Sequence, residues 1–277
     1  MKRILLLSAI MLTIIACNHQ NTPEPTQEVT FNISAFQQSA PMGMPAKVPI
    51  YDEAEGGTEL TDIYVFDGGI EVLHQTSDME EFGSFTLNLT HGNHNLSFIA
   101  TRATGISIES GVMAMDAVRP TFGHTLSLNV SEATNAQSVT LDRISGQMSI
   151  TIKDAFTTDA DEIEFIINPR YSELNVATLC AINGKEVAQR VSCTSKVGKK
   201  DQTYTFALLA PSLTDEYLAD VTINVYNAMG VVIHTVSIAD VRLASNTKTL
   251  LSGEVFRGTD ATLFIDHAWN ADIVGNF

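Results

Sequence analysis

The sequence predicts an all-β protein built of sandwiches, and three observations carry that prediction. From Val29 onward, apolar residues recur with period two, the spacing that turns one face of a strand inward. Turn-forming residues separate these runs, among them Asp67-Gly68-Gly69, His91-Gly92-Asn93, Asn183-Gly184 and Met229-Gly230, each able to supply the positive φ of a tight hairpin. Past the first 16 residues, no segment carries an apolar stripe at helical spacing over three turns. A half-apolar sheet buries its inner face against a second sheet, so many short strands imply sandwiches.

The elements follow in chain order. Met1-Lys2-Arg3 and the apolar run of residues 4–16, interrupted by Ser8 and Thr13, read as a signal peptide over residues 1–16. The run is too short to span a bilayer, which takes roughly 20 apolar residues. Ile14-Ile15-Ala16-Cys17 resembles the bacterial lipobox, which makes Cys17 the expected mature N-terminus and the site of lipid attachment. Residues 17–28 hold Pro23 and Pro25 among Asn, Gln, Thr and Glu, and read as a flexible tether.

An N-terminal sandwich is expected over residues 29–142. Its inward positions are Val29, Phe31, Ile33 and Ala35, then Phe85, Leu87 and Leu89, then Leu96, Phe98 and Ala100, then Leu126, Leu128 and Val130. Residues 39–57, with Pro41, Pro45 and Pro49, read as a long irregular loop. The polar segment 131–138 breaks the strand rhythm, and Leu141-Asp142-Arg143 leads into a fresh strand, so a second sandwich is expected over residues 143–277. Its inward sets are Met148, Ile150 and Ile152; Ile163, Phe165 and Ile167; Tyr204, Phe206 and Leu208; Val221, Ile223 and Val225; and Leu263 and Ile265. Val231-Val232-Ile233 and Thr249-Leu250-Leu251 are continuous rather than alternating. Such a run suits a strand covered on both faces, or one that joins an intermolecular groove.

Composition narrows the chemistry. The chain has 16 Lys and Arg against 32 Asp and Glu, and loss of Lys2 and Arg3 takes its net charge from −16 to about −18. So acidic a surface repels phosphate backbones and anionic headgroups, which excludes nucleic acid and leaves the N-terminal lipid as the membrane attachment. With Cys17 acylated, Cys180 and Cys193 form one available disulfide pair in an exported protein, or remain two reduced thiols. His91 and His94 bracket a turn near Asp62, Asp67 and Glu71, yet two turn histidines fall short of the three or four convergent ligands that zinc takes. There is no GxSxG, HExxH, GxxxxGK or strand-bound GxGxxG. Adjacent acids at Asp52-Glu53, Glu80-Glu81 and Asp161-Glu162 are expected by chance in so acidic a chain, and sugar-stacking aromatics are sparse, with Trp269 the single tryptophan. Neither enzyme activity, nor a cofactor, nor a metal site is expected.

Three passages resemble the fimbrillins of Bacteroidales, subunits and lipoprotein anchors of adhesive pili. The first is the lipobox with its proline-containing tether. The second is Leu141-Asp142-Arg143-Ile144-Ser145-Gly146-Gln147-Met148-Ser149-Ile150-Thr151-Ile152, similar to the family's entry into its second domain. The third is Asn246-Thr247-Lys248-Thr249-Leu250-Leu251-Ser252-Gly253-Glu254-Val255-Phe256 with Phe264 to Trp269 and the closing Asp272-Ile273-Val274-Gly275-Asn276-Phe277. The resemblance implies two tandem transthyretin-like sandwiches in a non-enzymatic, lipid-anchored protein of the outer membrane or cell surface, with other pilus subunits as partners through strand exchange. In family shaft subunits, cleavage after an arginine removes the first strand and opens a groove. Here Lys47 is the one basic residue between Arg3 and Arg102, so Lys47 is the available processing site and an uncut anchor is favoured over a shaft subunit. A surface carbohydrate-binding lipoprotein of a polysaccharide-utilisation system is the competing expectation.

Overall fold

The computed structural model describes residues 24–35, 51–52, 58–256 and 273–276. In the first half the strands are β1 (Thr26–Ala35), β2 (Tyr51–Asp52), β3 (Thr58–Glu59), β4 (Asp62–Asp67), β5 (Ile70–Thr76) and β6 (Ser84–Thr90). Then come β7 (Gly92–Thr101), β8 (Thr104–Glu109), β9 (Val112–Ala117), β10 (Thr121–Val130) and β11 (Ala136–Arg143). Ordinary turn chemistry punctuates them: Gly68 and Gly69, at φ 56° and 86°, close the β4–β5 hairpin in a conformation that side chains resist. β1 starts at Thr26, so residues 26–28 of the expected tether belong to the first strand.

Seven of these strands run in the order β5-β4-β7-β10-β11-β1-β6. β10 pairs with β7 over ten positions but with β11 only at Phe122↔Arg143 and Gly123↔Asp142. That short seam lets β5-β4-β7-β10 fold over β11-β1-β6 as two layers. The core between them holds Val29, Phe31 and Ile33 from β1, Phe85, Leu87 and Leu89 from β6, and Leu96, Phe98 and Ala100 from β7. These are the positions that the period-two pattern turns inward. Leu126 and Leu128 of β10 are half-buried at its margin.

The second half contains β12 (Ser145–Ile152), β13 (Glu162–Arg170), β14 (Glu173–Asn175), β15 (Ala181–Ile182) and β16 (Lys185–Ser192). β17 (Gln202–Leu209), β18 (Tyr217–Tyr226), β19 (Val232–Leu243), β20 (Lys248–Gly253) and β21 (Ile273–Asn276) complete it. Sheets β17-β12-β20-β21 and β16-β13-β18-β19 enclose a core of Met148, Ile150, Ile152, Ile163, Phe165, Ile167, Phe206, Val221 and Ile223, with further apolar residues around them. The continuous run Thr249-Leu250-Leu251 lies in β20, where Leu251 points into the core and Leu250 is half-buried. Val231 and Val232 behave otherwise. Both are exposed beside the turn before β19, so that run is neither doubly covered nor placed in a groove of this chain.

A third sheet, β15-β14-β9-β8, draws strands from both halves of the chain. β14 pairs with β9, and Met115 N–H donates to the Ser172 carbonyl at 2.9 Å while Val176 N–H donates to the Gly111 carbonyl at 3.0 Å. Beneath it, a separate apolar cluster joins Tyr64, Phe66 and Ile99 from the first half to Ile144, Leu174, Leu179 and Leu209 from the second. The entry to β12 is fastened by buried hydroxyls: the Thr121 N–H donates to Ser145 Oγ at 3.0 Å, and Thr121 and Thr101 share a 2.8 Å hydrogen bond. The two sandwiches are therefore stitched through a shared layer, which period-two reading of each half does not contain.

Candidate strand-exchange site

β1 occupies an unusual position for a strand so early in the chain. It lies between β11 and β6, parallel to the first, with Thr30↔Ala136 through Ala35↔Leu141, and antiparallel to the second, with Thr26↔Thr90 through Asn32↔Ser84. Its alternation TQEVTFNIS puts Val29, Phe31 and Ile33 inward, while Thr30 and Asn32 face out. The Phe31 ring stacks on Phe85 at 5.7 Å in its own layer and meets Phe98 at 5.5 Å across the sandwich. On the outer face Thr30 and Thr86 share a hydrogen bond of 3.0 Å, and the Ser84 hydroxyl donates to Asn32 Oδ1 at 3.0 Å. Burial of the three apolar side chains stabilises the strand by roughly 1.5–3 kcal/mol each.

Withdrawal of β1 leaves a slot with two features. Its floor is apolar, made by Phe85, Leu87, Leu89, Phe98, Val139 and Leu141. Its walls are the backbone edges of β6 and β11, whose N–H and C=O groups then lack strand partners. Any strand with an apolar residue at every second position satisfies both. At the other end of the described chain, β21 lies on the margin of its sheet, parallel to β20, with Thr249↔Ile273 through Ser252↔Asn276. β1 thus has one parallel and one antiparallel neighbour, and β21 has a neighbour on one side alone among the described residues.

No protein-family model matches the chain, and no curated protein matches it. Solved structures do. A candidate adhesin from Bacteroides ovatus superposes with a TM-score of 0.54 at 10% identity, over 84% of this chain and 88% of that one. The two share a fold. A second candidate adhesin from Bacteroides ovatus aligns with a TM-score of 0.48 at 6% identity, over 76% of each chain. The fimbrial anchor protein Mfa2 from Porphyromonas gingivalis aligns with a TM-score of 0.44 at 12% identity, over 78% of this chain and 83% of that one.

Of the residues singled out in the sequence, Cys17, Lys47 and Trp269 lie outside the described residues. Cys180 and Cys193 are free thiols in separate surroundings, so no bridge joins them in this structure. Cys193 is buried in the core of the second sandwich, whereas Cys180 sits half-exposed before β15 with its Sγ donating to the Thr178 carbonyl at 3.5 Å. Burial, then the nearby Asp161 charge, pushes the Cys193 thiol pKa up to about 11. His94 lies with Nδ1 2.5 Å from Asp67 Oδ2 and Nε2 2.9 Å from the Thr90 carbonyl, so both ring nitrogens face acceptors and the protonated ring is favoured. Asp62 pairs instead with His74 at 2.8 Å. Among the described residues, no three of the ligand types His, Cys, Asp and Glu converge.

One arrangement escaped sequence reading altogether. Glu164 of β13 accepts hydrogen bonds from the Tyr226 hydroxyl at 2.6 Å, from Arg190 Nη2 at 3.0 Å and from Asn224 at 3.3 Å, with the Arg190 guanidinium 4.0 Å above the Tyr226 ring. The Tyr226 hydrogen bond leads the causes that hold the Glu164 carboxyl below its ordinary range, against the opposing pull of burial. Its members are 26, 60 and 62 residues from Glu164 in the chain, so local spacing carries no signal of it.

Proposed function

We propose that the protein is a structural adhesion lipoprotein of a cell-surface pilus, held at the outer membrane by a lipid on Cys17 and assembling with other subunits by β-strand addition. The observation that carries this reading is the position of β1, a single strand whose alternating Val29, Phe31 and Ile33 fill an apolar slot between β11 and β6. The shared fold with a candidate adhesin of Bacteroides ovatus supports the adhesive role. The subunit consists of two tandem sandwich domains, split near residue 142, with the third sheet drawing strands from both. Within the pilus the place of an anchor suits it better than that of a shaft subunit. Lys47 is the one basic residue between Arg3 and Arg102, so an arginine-directed protease finds no site that frees β1 alone.

The test is mass spectrometry of the native membrane-extracted protein, reading its mature N-terminus. An acylated chain beginning at Cys17 in every molecule, including those that copurify with sheared fibres, is the result expected of an anchor. A deacylated population beginning just after Lys47 makes the protein a polymerising subunit instead. A Cys17 without lipid overturns the lipoprotein assignment.

A further inference from the structure

The molecule is strongly acidic, yet three of its basic side chains line one cleft. This cleft, of 530 Å³, opens where β9 and the segment after it face the end of β13 and the start of β16, and its lining includes Asp116, Arg119, Arg170, Ser172, Lys185 and Gln189. Arg119 also lines a neighbouring hollow of 280 Å³ that contains Arg102. Four of the 16 Lys and Arg are thus gathered on one side of an acidic protein.

The gathering is built into the fold. A bulge between Ile167 and Arg170 breaks the β13–β16 register and then sets Arg170 directly opposite Lys185. Bulges commonly redirect a side chain in this way. Like charges opposite one another on antiparallel strands destabilise the pairing. Burial, partly opposed by Tyr217 and reinforced by the Arg119 charge, draws the Arg170 pKa below its ordinary value. Among the described residues, compensation is slight. Lys185 reaches Glu173 at 4.0 Å, the limit of an ion pair, and among the described residues neither Arg119 nor Arg170 has a carboxylate within that distance. The Arg170 guanidinium instead lies 5.7 Å above the Phe206 ring, which orients its plane without neutralising it.

A bound anion resolves this repulsion. Two forked guanidinium groups beside an ammonium suit a carboxylate. Asp116 on the same wall disfavours a doubly charged phosphate but accepts hydrogen bonds from hydroxyl groups, as Ser172 and Gln189 also do. The volume falls within the range of small-ligand sites, roughly 300–1,000 Å³. We propose that this cleft binds an acidic saccharide of hexuronate size, its carboxylate held by Arg119, Arg170 and Lys185 and its hydroxyls by Ser172, Gln189 and Asp116. The site is independent of strand addition and stands whether or not β1 is exchanged.

The test is calorimetric titration of the full mature chain at low salt with sodium D-glucuronate, D-glucose and inorganic phosphate. Saturable glucuronate binding is expected, weakened about tenfold by Arg170→Gln and at least severalfold by Lys185→Gln, an exposed position that leaves the fold intact. Glucose should bind far more weakly. Absent glucuronate binding, or binding unchanged in Lys185→Gln, overturns the site. Phosphate binding as tight as that of glucuronate reduces it to a general anion patch and overturns the saccharide assignment.

Discussion

Phe31 of β1 meets Phe98 of β7 at 5.5 Å between ring centroids, and this contact ties the first strand to the opposite layer of the sandwich. Both rings are fully buried. Phe31→Ala should therefore cost about 3–5 kcal/mol of stability, and Phe31→Leu less than half as much, measured by urea unfolding. A loss below about 1 kcal/mol for the alanine variant would mean that β1 contributes little to the core.

Gly146 sits at the second position of β12, and a methyl group there would come within 2.2 Å of the Ala244 carbonyl oxygen. The obstacle is backbone, which cannot swing aside as a side chain can. Gly146→Ala is expected to lower stability by roughly 2–3 kcal/mol, read from the denaturant midpoint. This close approach gives a packing reason for glycine in the passage Ile144-Ser145-Gly146-Gln147 at the junction between sandwiches.

His94 responds to pH through Asp67. Burial draws the His94 pKa down, but the Asp67 hydrogen bond, the Thr90 carbonyl and the Asp67 charge outweigh it and leave the pKa raised above 6.5. A raised folded-state pKa means that the pair stabilises fully below pH 6.5 and ceases to do so as pH climbs through the higher value. Melting temperature measured across that interval should fall with rising pH in the parent and fall less in Asp67→Asn. Parallel curves would show that the pair is not coupled to folding.

Cys193 should be chemically silent in the native protein. Its thiol is buried and its pKa stands near 11, so little thiolate exists at neutral pH. A brief iodoacetamide pulse followed by peptide mass spectrometry should leave Cys193 unlabelled natively and labelled fully after unfolding. An intact mass showing Cys180 bridged to Cys193 would contradict the free thiols seen here.

Inward faces were legible because alternation is local: a strand with one buried side needs an apolar residue at every second position, whatever it pairs with. That reading located Val29-Phe31-Ile33, Leu96-Phe98-Ala100, Met148-Ile150-Ile152 and Val221-Ile223-Val225 in their cores. It failed where exposure depends on what lies beside a strand, as at Val231 and Val232.

By itself, then, the sequence determined the all-β class, the inward face of most strands, the positive-φ turns and the marked excess of acid. Tertiary structure alone decided that β1 lies parallel to β11 about a hundred residues away, that β9 and β14 close one sheet across both halves, and that Arg119, Arg170 and Lys185 share a cleft. The reason is physical. Periodicity records how a residue stands to its own strand, whereas neighbouring edges and converging charges are settled by long-range chain closure and competition among sheet edges, which leave no trace in local spacing.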